Sequence, residues 1–472
     1  MPIPILTIEQ MRQWEQATWA AGKNEWAVIE QVGERLSRRL LQRTRPGARI
    51  LIVSGRGHNG EDARAITPHL KEREVRLVQI NDPSRDLGSL ERGLGWNPDW
   101  IVDGLFGIGL NRPLDEAWQT CIQRINASRA SVLSVDVPSG FSAATGEVMG
   151  AAIQATLTVT VGAPKVGLLT PEAWRWTGVL DVEPDIGLIL PCPVSSDQQW
   201  TLPKDFAGFP PSRPLNAHKG YFGHLVIVAG SVGYHGASVL AARGAQRAQP
   251  GLVSLWTMPE TYVPVAAQLQ AVMVHPWEGE TPNWPERTSA FLFGPGLAAV
   301  PEDHPMRRVF QEIWKTAPVP VIVDASALDW VPEGRIASEA VRVITPHPGE
   351  AARMLRTEVS KIQQDRPAAV RELSRRFGGC WVVLKGRLTL IGRAEGPIFW
   401  NPTGNPYLAQ GGAGDVLAGY LAGWLAQPEI AQKDAERAIR FAVWEHGAAA
   451  DRLMASSRPW TPEDLILELG KR

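Results

Sequence analysis

Hydrophobic residues occur along this chain as short blocks that alternate with longer segments of helical spacing. Near the N-terminus, a period of three to four residues predicts two helices, from Ile8 to about Ala21 and from about Trp26 to Leu41. Apolar blocks of strand length then recur at intervals long enough to hold a helix, which favours a parallel α/β sheet. The predicted strands of this first half cover residues 49–53, 75–80, 100–103, 132–136 and 156–161.

A proline-rich segment without hydrophobic periodicity interrupts this alternation after residue 190. Its composition predicts a linker, which we place at 201–214. The alternation then resumes, and a chain of 472 residues is too long for one ordinary core. We therefore predict two α/β domains, at 1–200 and 215–472. The predicted strands of the second half are 224–229, 253–256, 290–293, 319–324, 341–344 and 381–384.

Composition narrows the class of protein only a little. The 48 Lys+Arg nearly balance the 49 Asp+Glu, so charge gives no argument for a nucleic-acid partner. The three cysteines, Cys121, Cys192 and Cys380, are far apart and lack metal-binding spacing, which favours a reducing compartment. We see neither a signal peptide nor an uncharged apolar stretch of about 18 residues. We expect a cytoplasmic homo-oligomer with no membrane or nucleic-acid partner.

The densest chemical signal is the run Gly411-Gly412-Ala413-Gly414-Asp415, which precedes an apolar helical segment. A glycine-rich loop that enters a helix can bind an anion through its amides and the helix dipole. Asp415 would then lie beside the anion, where it can take a proton from a hydroxyl that attacks phosphorus. The alternative is a glycine-rich turn with Asp415 as the helix cap.

Further motifs follow predicted strands of the second half, at the edge where parallel sheets gather their chemistry. Singly, each has an ordinary explanation as a turn, an exposed loop histidine or a strand cap. Together and in this order they resemble the NAD(P)H-hydrate dehydratase family, over roughly residues 205–472. The motifs are Asn216-Ala217-His218-Lys219-Gly220, Gly230-Ser231, Gly236-Ala237, Gly294-Pro295-Gly296-Leu297, Asp324-Ala325-Ser326-Ala327-Leu328, Thr345-Pro346-His347-Pro348-Gly349-Glu350, Leu384-Lys385-Gly386 and the glycine loop.

The resemblance implies a ribokinase-like α/β fold and repair of reduced nicotinamide cofactors that have been hydrated on the ring. ADP or ATP would phosphorylate the added hydroxyl, with Asp415 as the base, and phosphate would then leave. Mg²⁺ is expected with the nucleotide, and Glu350 is a guess at one ligand. The family's hydrated-cofactor contacts fall on Ala237, Gly296, His347 and Asp415. Its nucleotide and phosphoryl contacts fall on Lys385, Gly386, Arg387, Leu388, Thr389, Gly412, Ala413 and Gly414.

Two kinds of motif stand at strand ends of the first half. Three glycines, Gly55, Gly57 and Gly60, follow the first strand and suggest a phosphate-binding turn. Asp103 and Asp136 end two other strands, either as turn caps or as parts of a shared cation or acid–base site. These motifs resemble the NAD(P)H-hydrate epimerase family over about residues 1–200. The resemblance implies a Rossmann-like three-layer α/β/α domain that interconverts two epimers of the hydrated cofactor and binds K⁺.

By this resemblance the K⁺ ligands are Asn59, Asp103 and Ser139, and the acid–base residue is Asp136. The family pattern Asn-Asn-Gly-Gly-Asp-Gly becomes here His58-Asn59-Gly60-Glu61-Asp62-Ala63. A positive φ at Glu61 would cost about 1 kcal/mol or more. The family's substrate contacts fall on His58, Asn59, Gly60, Glu61, Asp62, Gly107, Ile108, Gly109, Leu110, Asn111, Arg112, Pro113 and Asp136.

Two alternatives stay open from the sequence. The second half would also suit a small-molecule kinase of the ribokinase superfamily, although the segment Thr345 to Glu350 argues against it. The first half would also suit a non-catalytic scaffold, because its glycine-rich turn departs from the family pattern. The choice between ADP and ATP stays open too, and the resemblance favours ADP.

Overall fold

The computed structural model describes residues 2–456 and 458–471. The chain forms two compact units, one of residues Ile3–Trp200 and one whose main part begins at Thr201. Within the described residues, every helix is too short or too polar to cross a membrane.

The first unit contains a sheet of six parallel strands, β3-β2-β4-β5-β6-β7, and a short antiparallel pair of β1 with β8. Its strands are β1 (Ile3–Pro4), β2 (Arg49–Ser54), β3 (Glu74–Gln79), β4 (Trp100–Gly104), β5 (Ser131–Val135), β6 (Leu157–Val161), β7 (Val179–Glu183) and β8 (Gln198–Trp200). Its helices are α1 (Ile8–Ala20), α2 (Glu25–Leu41), α3 (His58–Ala65), α4 (Pro83–Gly95), α5 (Glu116–Asn126) and α6 (Trp174–Thr177).

Helices pack on both faces of this sheet because successive residues of a strand point in opposite directions. Ile50 and Ile52 of β2 belong to a core with residues of α1 and α2. Leu51 and Val53 of the same strand belong to a second core with residues of α4 and α5. The two cores confirm the predicted three-layer α/β/α fold.

The second unit contains the strand order β17-β16-β15-β14-β13-β12-β9-β10-β11. Its strands are β9 (His224–Val228), β10 (Leu252–Thr257), β11 (Met273–Pro276), β12 (Ala290–Phe293), β13 (Val321–Val323), β14 (Arg342–Ile344), β15 (Trp381–Leu384), β16 (Leu390–Gly392) and β17 (Ile398–Trp400). Its helices are α7 (His235–Arg247), α8 (Tyr262–Ala266), α9 (Pro305–Thr316), α10 (Pro348–Leu355), α11 (Val359–Gln364), α12 (Arg366–Arg376), α13 (Ala413–Leu425), α14 (Pro428–Lys433), α15 (Ala435–Ala455) and α16 (Pro462–Glu468).

Strands β9 to β15 run parallel, but β16 and β17 return antiparallel, which the sequence pattern did not predict. Helix α13 packs against α7 at backbone distance. A Cβ on Gly244 would lie 2.5 Å from the Val416 carbonyl oxygen, and one on Gly419 would lie 1.8 Å from that of Ala241. Glycine at both positions therefore allows the contact that holds α13 in place.

The structure corrects the predicted linker of 201–214. Phe206 and Phe209 are buried in the core of the second unit, where both rings pack against Phe441 of α15. Arg440 of the same helix donates a hydrogen bond of 2.9 Å to Asp205 Oδ2. Residues 201–209 therefore belong to the folded unit, because their apolar side chains find a core that proline content alone does not reveal.

Candidate active sites

Asp415 lies in the first turn of α13, where the sequence predicts it. Gly412 is the N-cap of that helix and has a φ of 100°, a conformation that favours glycine. The first N–H groups of a helix have no partner within it, which suits an anion. The Ala413 N–H is partly engaged, because it donates to the Gln410 carbonyl at 3.3 Å.

Three carboxylates share one ammonium group beside this loop. Lys385 Nζ lies 2.7 Å from Asp324 Oδ1 and 3.9 Å from Glu350 Oε2. A Cβ on Gly414 would lie 3.5 Å from that nitrogen and 3.9 Å from Asp324 Oδ2. Burial, together with the negative charges of Asp324 and Glu350, raises the pKa of Asp415 to about 7, although Lys385 opposes the shift.

Asp324 begins one of the motifs named above, but sequence reasoning assigned it no role in the site. It follows β13, is 2% exposed and accepts a hydrogen bond of 2.6 Å from Thr345 Oγ1. A carboxylate at a strand end was the available signal, but it did not show the partner. Lys385, predicted as a nucleotide contact, has this carboxylate as its closest partner within the described residues.

His347 caps helix α10, a structural task that its position between two prolines did not reveal. Its Nδ1 accepts hydrogen bonds from the N–H groups of Gly349 at 3.0 Å and Glu350 at 3.3 Å. Glu350 Oε2 in turn accepts from the His347 N–H at 2.8 Å. The Lys385 N–H donates to the Pro346 carbonyl at 2.9 Å, which ties this segment to the loop after β15.

Gly296 and Ala237, two predicted contacts of the hydrated cofactor, adjoin each other. Gly296 has a φ of 68°, and a Cβ there would lie 3.0 Å from Ala237 Cβ and 2.3 Å from the Tyr234 carbonyl oxygen. Ser231 Oγ donates to the Gly296 carbonyl at 2.7 Å. The backbone bond described above joins Lys385 to Pro346, the residue before His347. Among the four predicted contacts, Ala237 therefore lies with Gly296, and His347 lies near the loop of Lys385.

The predicted nucleotide segment, residues 385–389, is held by an arginine that the sequence did not indicate. Arg366 donates to the carbonyl groups of Leu384 and Leu388, each at 3.2 Å, and also to that of Arg387. Burial lowers the pKa of Arg366 to about 10, which leaves it charged at neutral pH. Gly386 and Leu388 have φ values of 139° and 53°, so the segment is strained at Leu388.

His446 of α15 supports the glycine loop from within the unit. Its Nε2 lies 3.0 Å from the Ala413 carbonyl oxygen. Burial lowers the pKa of His446 to about 4, so the ring is neutral at physiological pH and donates from Nε2. No sequence pattern pointed to this residue, because 33 positions separate it from its partner.

In the first unit, the predicted turn after β2 is shorter than expected. Helix α3 begins at His58, so residues His58 to Asp62 are helical. Glu61 is outside the set of residues with positive φ, so the strain considered for it does not arise. Gly60 has a steric reason to be glycine, because a Cβ would lie 2.2 Å from the Gly55 carbonyl oxygen.

The three predicted K⁺ ligands lie together. Ser139 Oγ donates to Asp103 Oδ1 at 2.6 Å and accepts from the Phe106 N–H at 2.8 Å. Asn59 Nδ2 donates to the Phe106 carbonyl at 2.8 Å. The amide, carboxylate and hydroxyl oxygens are the donor chemistry that a hard monovalent cation takes. Burial raises the pKa of Asp103, and hydrogen bonds from Ser139 oppose the shift.

The loop Gly107 to Pro113 begins beside the same site. A Cβ on Gly107 would lie 3.1 Å from Asn59 Cβ and 3.4 Å from Asn59 Oδ1. Residues 111–113 are exposed, so only the first part of the loop is packed against α3.

Asp136 has a buried carboxylate that is held through one oxygen. It follows β5 with a φ of 63°, and its Oδ1 accepts from Thr160 Oγ1 at 2.9 Å and the Val161 N–H at 3.1 Å. The third donor to Oδ1 is Lys165 Nζ, at 2.5 Å. The sequence did not indicate Lys165, because nothing local marks a lysine as buried.

The charge of Asp136 contributes to the raised pKa values of two other carboxyl groups. Burial raises the pKa of Asp62 well above its ordinary range, and the charges of Asp136, Glu61 and Glu15 add to the shift. Burial likewise raises the pKa of Glu15, and Lys165 opposes it. This part of the unit therefore concentrates carboxyl groups around one buried ammonium.

The chain consists of two parallel α/β units. The first carries a carboxylate at a strained strand end, and the second carries a glycine loop with a carboxylate in the first turn of the helix that follows. These features define a two-part enzyme whose second part is ribokinase-like. The family model for NAD(P)H-hydrate dehydratase matches residues 225–471, and that for the YjeF-related protein N-terminus matches residues 79–167.

Proteins of similar sequence match both units of the chain. The bifunctional NAD(P)H-hydrate repair enzyme Nnr of Gloeobacter violaceus is 34% identical over 94% of this chain and 92% of its own length. The Escherichia coli protein of that name is 33% identical over 86% and 81%. The crystal structure of a ribokinase-like superfamily protein from Enterococcus faecalis covers 58% of this chain and 95% of its own, with 25% identity and a TM-score of 0.50. The chain belongs to the family of bifunctional NAD(P)H-hydrate repair enzymes.

Proposed function

We propose that this chain repairs hydrated NADH and NADPH in two reactions. The first domain, residues 1–200, would interconvert the R and S hydrates. The second, residues 215–472, would dehydrate the S hydrate with ADP and release AMP and phosphate. The observation that carries the proposal is the placement of Asp415 beside Lys385 and the glycine loop, with a pKa raised to about 7.

In the second domain, Asp415 would accept the proton of the ring hydroxyl while the hydroxyl oxygen takes the phosphoryl group. A base with a pKa near the working pH is both ionised and able to hold a proton. The amides of Gly412, Ala413 and Gly414 would hold the transferring group. The cofactor contacts would be Ala237, Gly296 and His347, and the nucleotide contacts would be residues 385–389.

Phosphorylation converts the hydroxyl into a good leaving group. The C–O bond then breaks with its electron pair on the departing phosphate, and the ring nitrogen donates its lone pair to the carbon. Loss of a ring proton restores the double bond of NAD(P)H. Mg²⁺ would offset the charge of the nucleotide phosphates, with Glu350 as the candidate for one of its ligands.

In the first domain, Asp136 would be the acid–base residue, and residues 58–62 and 107–113 would bind the substrate. K⁺, held by Asn59, Asp103 and Ser139, would supply a fixed positive charge beside the substrate loop. The positive φ of Asp136 supports a catalytic role over the scaffold alternative, because strained residues concentrate at active sites. The homo-oligomer and the cytoplasmic location stay predictions.

A coupled assay tests the proposal. Mixed epimers are incubated with ADP and then with ATP, and the recovered NAD(P)H absorbance and free phosphate are measured for wild type and Asp415→Asn. A product that keeps its phosphate would instead establish the small-molecule kinase. For the first domain, pure R hydrate with K⁺ should yield S hydrate, and Asp136→Ala should abolish this. A rate no higher than the spontaneous one in both proteins would establish the scaffold.

A further inference from the structure

Lys165 is fully buried, although a lysine is rarely found in a protein interior without a partner. Its ammonium donates to Asp136 Oδ1 at 2.5 Å, to Thr160 Oγ1 at 3.0 Å and to the Val161 carbonyl at 2.8 Å. An ammonium has three N–H donors, so all three are in use. Lys165 therefore has no donor left for a substrate.

The two oxygens of Asp136 are used differently. Oδ1 accepts three hydrogen bonds, from Thr160, Val161 and Lys165. Within the described residues, Oδ2 accepts none. The backbone N–H of Asp136 is bound to the Val159 carbonyl at 2.9 Å, which helps to hold the strained φ. One oxygen is thus anchored and the other is left for a ligand.

Other titratable groups respond to this pair. The charge of Asp136 raises the pKa of Asp62 and of Glu15, and the charge of Lys165 lowers both. His58 and Arg12 are further groups that act on Glu15. Lys165 is the cation that directly contacts Asp136, so the position of that carboxylate depends on it.

We propose that Lys165 is a positioning residue of the epimerase reaction: its ammonium anchors Oδ1 of Asp136, so that Oδ2 is the oxygen presented to the hydrated nicotinamide. This inference rests on the proposed epimerase function. It assigns no proton transfer to Lys165 itself, because each of its donors is already bound.

The test uses the full chain with pure R hydrate and K⁺. Nucleotide is left out because the proposed dehydration requires it, so the dehydratase is inactive. Formation of S hydrate is followed by chromatography. A wild type that does not exceed the spontaneous rate refutes the proposed epimerase function, whatever Lys165 does. With an active wild type, Lys165→Ala should lower kcat by about 100-fold, the scale of acid–base catalysis.

The matched control is Thr158→Val, on the same strand as Thr160. Its hydroxyl is also buried, but it donates to the Thr177 carbonyl at 2.8 Å instead of to Asp136. This variant loses a buried hydrogen bond without touching the pair, so its rate should stay within about threefold of wild type. Dehydration of S hydrate with ADP provides an internal measure of folded enzyme.

Methylamine distinguishes positioning from structural support. In Lys165→Ala the added amine can occupy the space of the lost ammonium, so the epimerisation rate should rise and saturate with its concentration. Asp136→Asn should show no such rise. Rates of Lys165→Ala near wild type, or a folded variant that methylamine does not restore, would overturn the proposal. If the alanine variant does not fold, folded Lys165→Met decides, because methionine has a similar length and no donor: loss of epimerisation supports the proposal and a wild-type rate refutes it.

Discussion

The ammonium of Lys385 lies 2.7 Å from Oδ1 of Asp324, and it is also the cation that opposes the raised pKa of Asp415. Glu350 completes the group, at 3.9 Å from the same nitrogen. The protonation of Asp415 is therefore set by a balance between burial, two like charges and one opposite charge. This balance can be shifted in either direction by single substitutions.

The dehydration rate should depend on pH through Asp415. Only the ionised carboxylate accepts a proton, and its pKa is raised to about 7. At saturating substrates, the rate should therefore fall about tenfold per pH unit well below the pKa and level off above it. Recovery of NADH absorbance measures the rate, and a flat profile across neutral pH would contradict the assignment of Asp415 as base.

Asp324→Asn and Lys385→Met should move that profile in opposite directions. Removing the like charge of Asp324 lowers the pH at which Asp415 ionises, and removing the cation of Lys385 raises it. We expect shifts of about one pH unit each, whatever the loss in maximal rate. Asp329→Asn is the control, because Asp329 is an exposed carboxylate paired with Arg353. Shifts of the same sign would show that this balance does not govern Asp415.

Asp415→Asn should stabilise the second domain at alkaline pH. Because the pKa is raised from 3.8 to about 7, ionisation costs free energy in the folded state. That cost is absent at pH values below the pKa of the unfolded state and fully present at pH values above the pKa of the folded state. Discounted for partial exposure, it is about 1–2 kcal/mol. The midpoint of thermal unfolding should therefore exceed that of wild type by a difference that grows from about pH 4 to about pH 7 and then levels off. A difference that is constant across this window would contradict the prediction.

His446 should make the second domain sensitive to acid. Burial lowers its pKa from 6.5 to about 4, so the unfolded chain binds a proton before the folded one does. The contribution of the neutral His446 ring to the free energy of unfolding is fully present above pH 6.5. It is lost as the pH falls toward 4, by up to about 3 kcal/mol. His446→Gln retains a donor but does not titrate, so it should not show this part of the loss. Thermal unfolding checks this, with the exposed His235→Gln as control.

Gly60→Ala should disable the first domain alone. A Cβ there would lie 2.2 Å from the Gly55 carbonyl oxygen, whereas one on Gly57 has no atom within 4 Å. The clash should cost about 1–3 kcal/mol and displace α3 with its substrate contacts. Epimerisation should be lost in Gly60→Ala and kept in Gly57→Ala, with dehydration intact in both. Equal epimerisation in the two variants would rule out the close contact.

The sequence by itself determined the features that depend on neighbouring residues. Apolar blocks bounded by polar segments indicated β12 and β15 at their observed bounds, since burial of a strand requires apolar side chains along its length. The glycine loop before α13 was equally evident, because a left-handed N-cap at Gly412 favours glycine whatever surrounds it.

Only the tertiary structure decided which distant side chains meet. Lys165 and Asp136 are 29 positions apart, and Lys385 and Asp324 are 61 apart, so no local pattern links either pair. It also showed that Glu61 is helical and that Phe206 lies in a core. The physical reason is that the interaction of two charges depends on their distance and on their burial. Both quantities are set by the packing of whole elements, and a linear sequence contains neither.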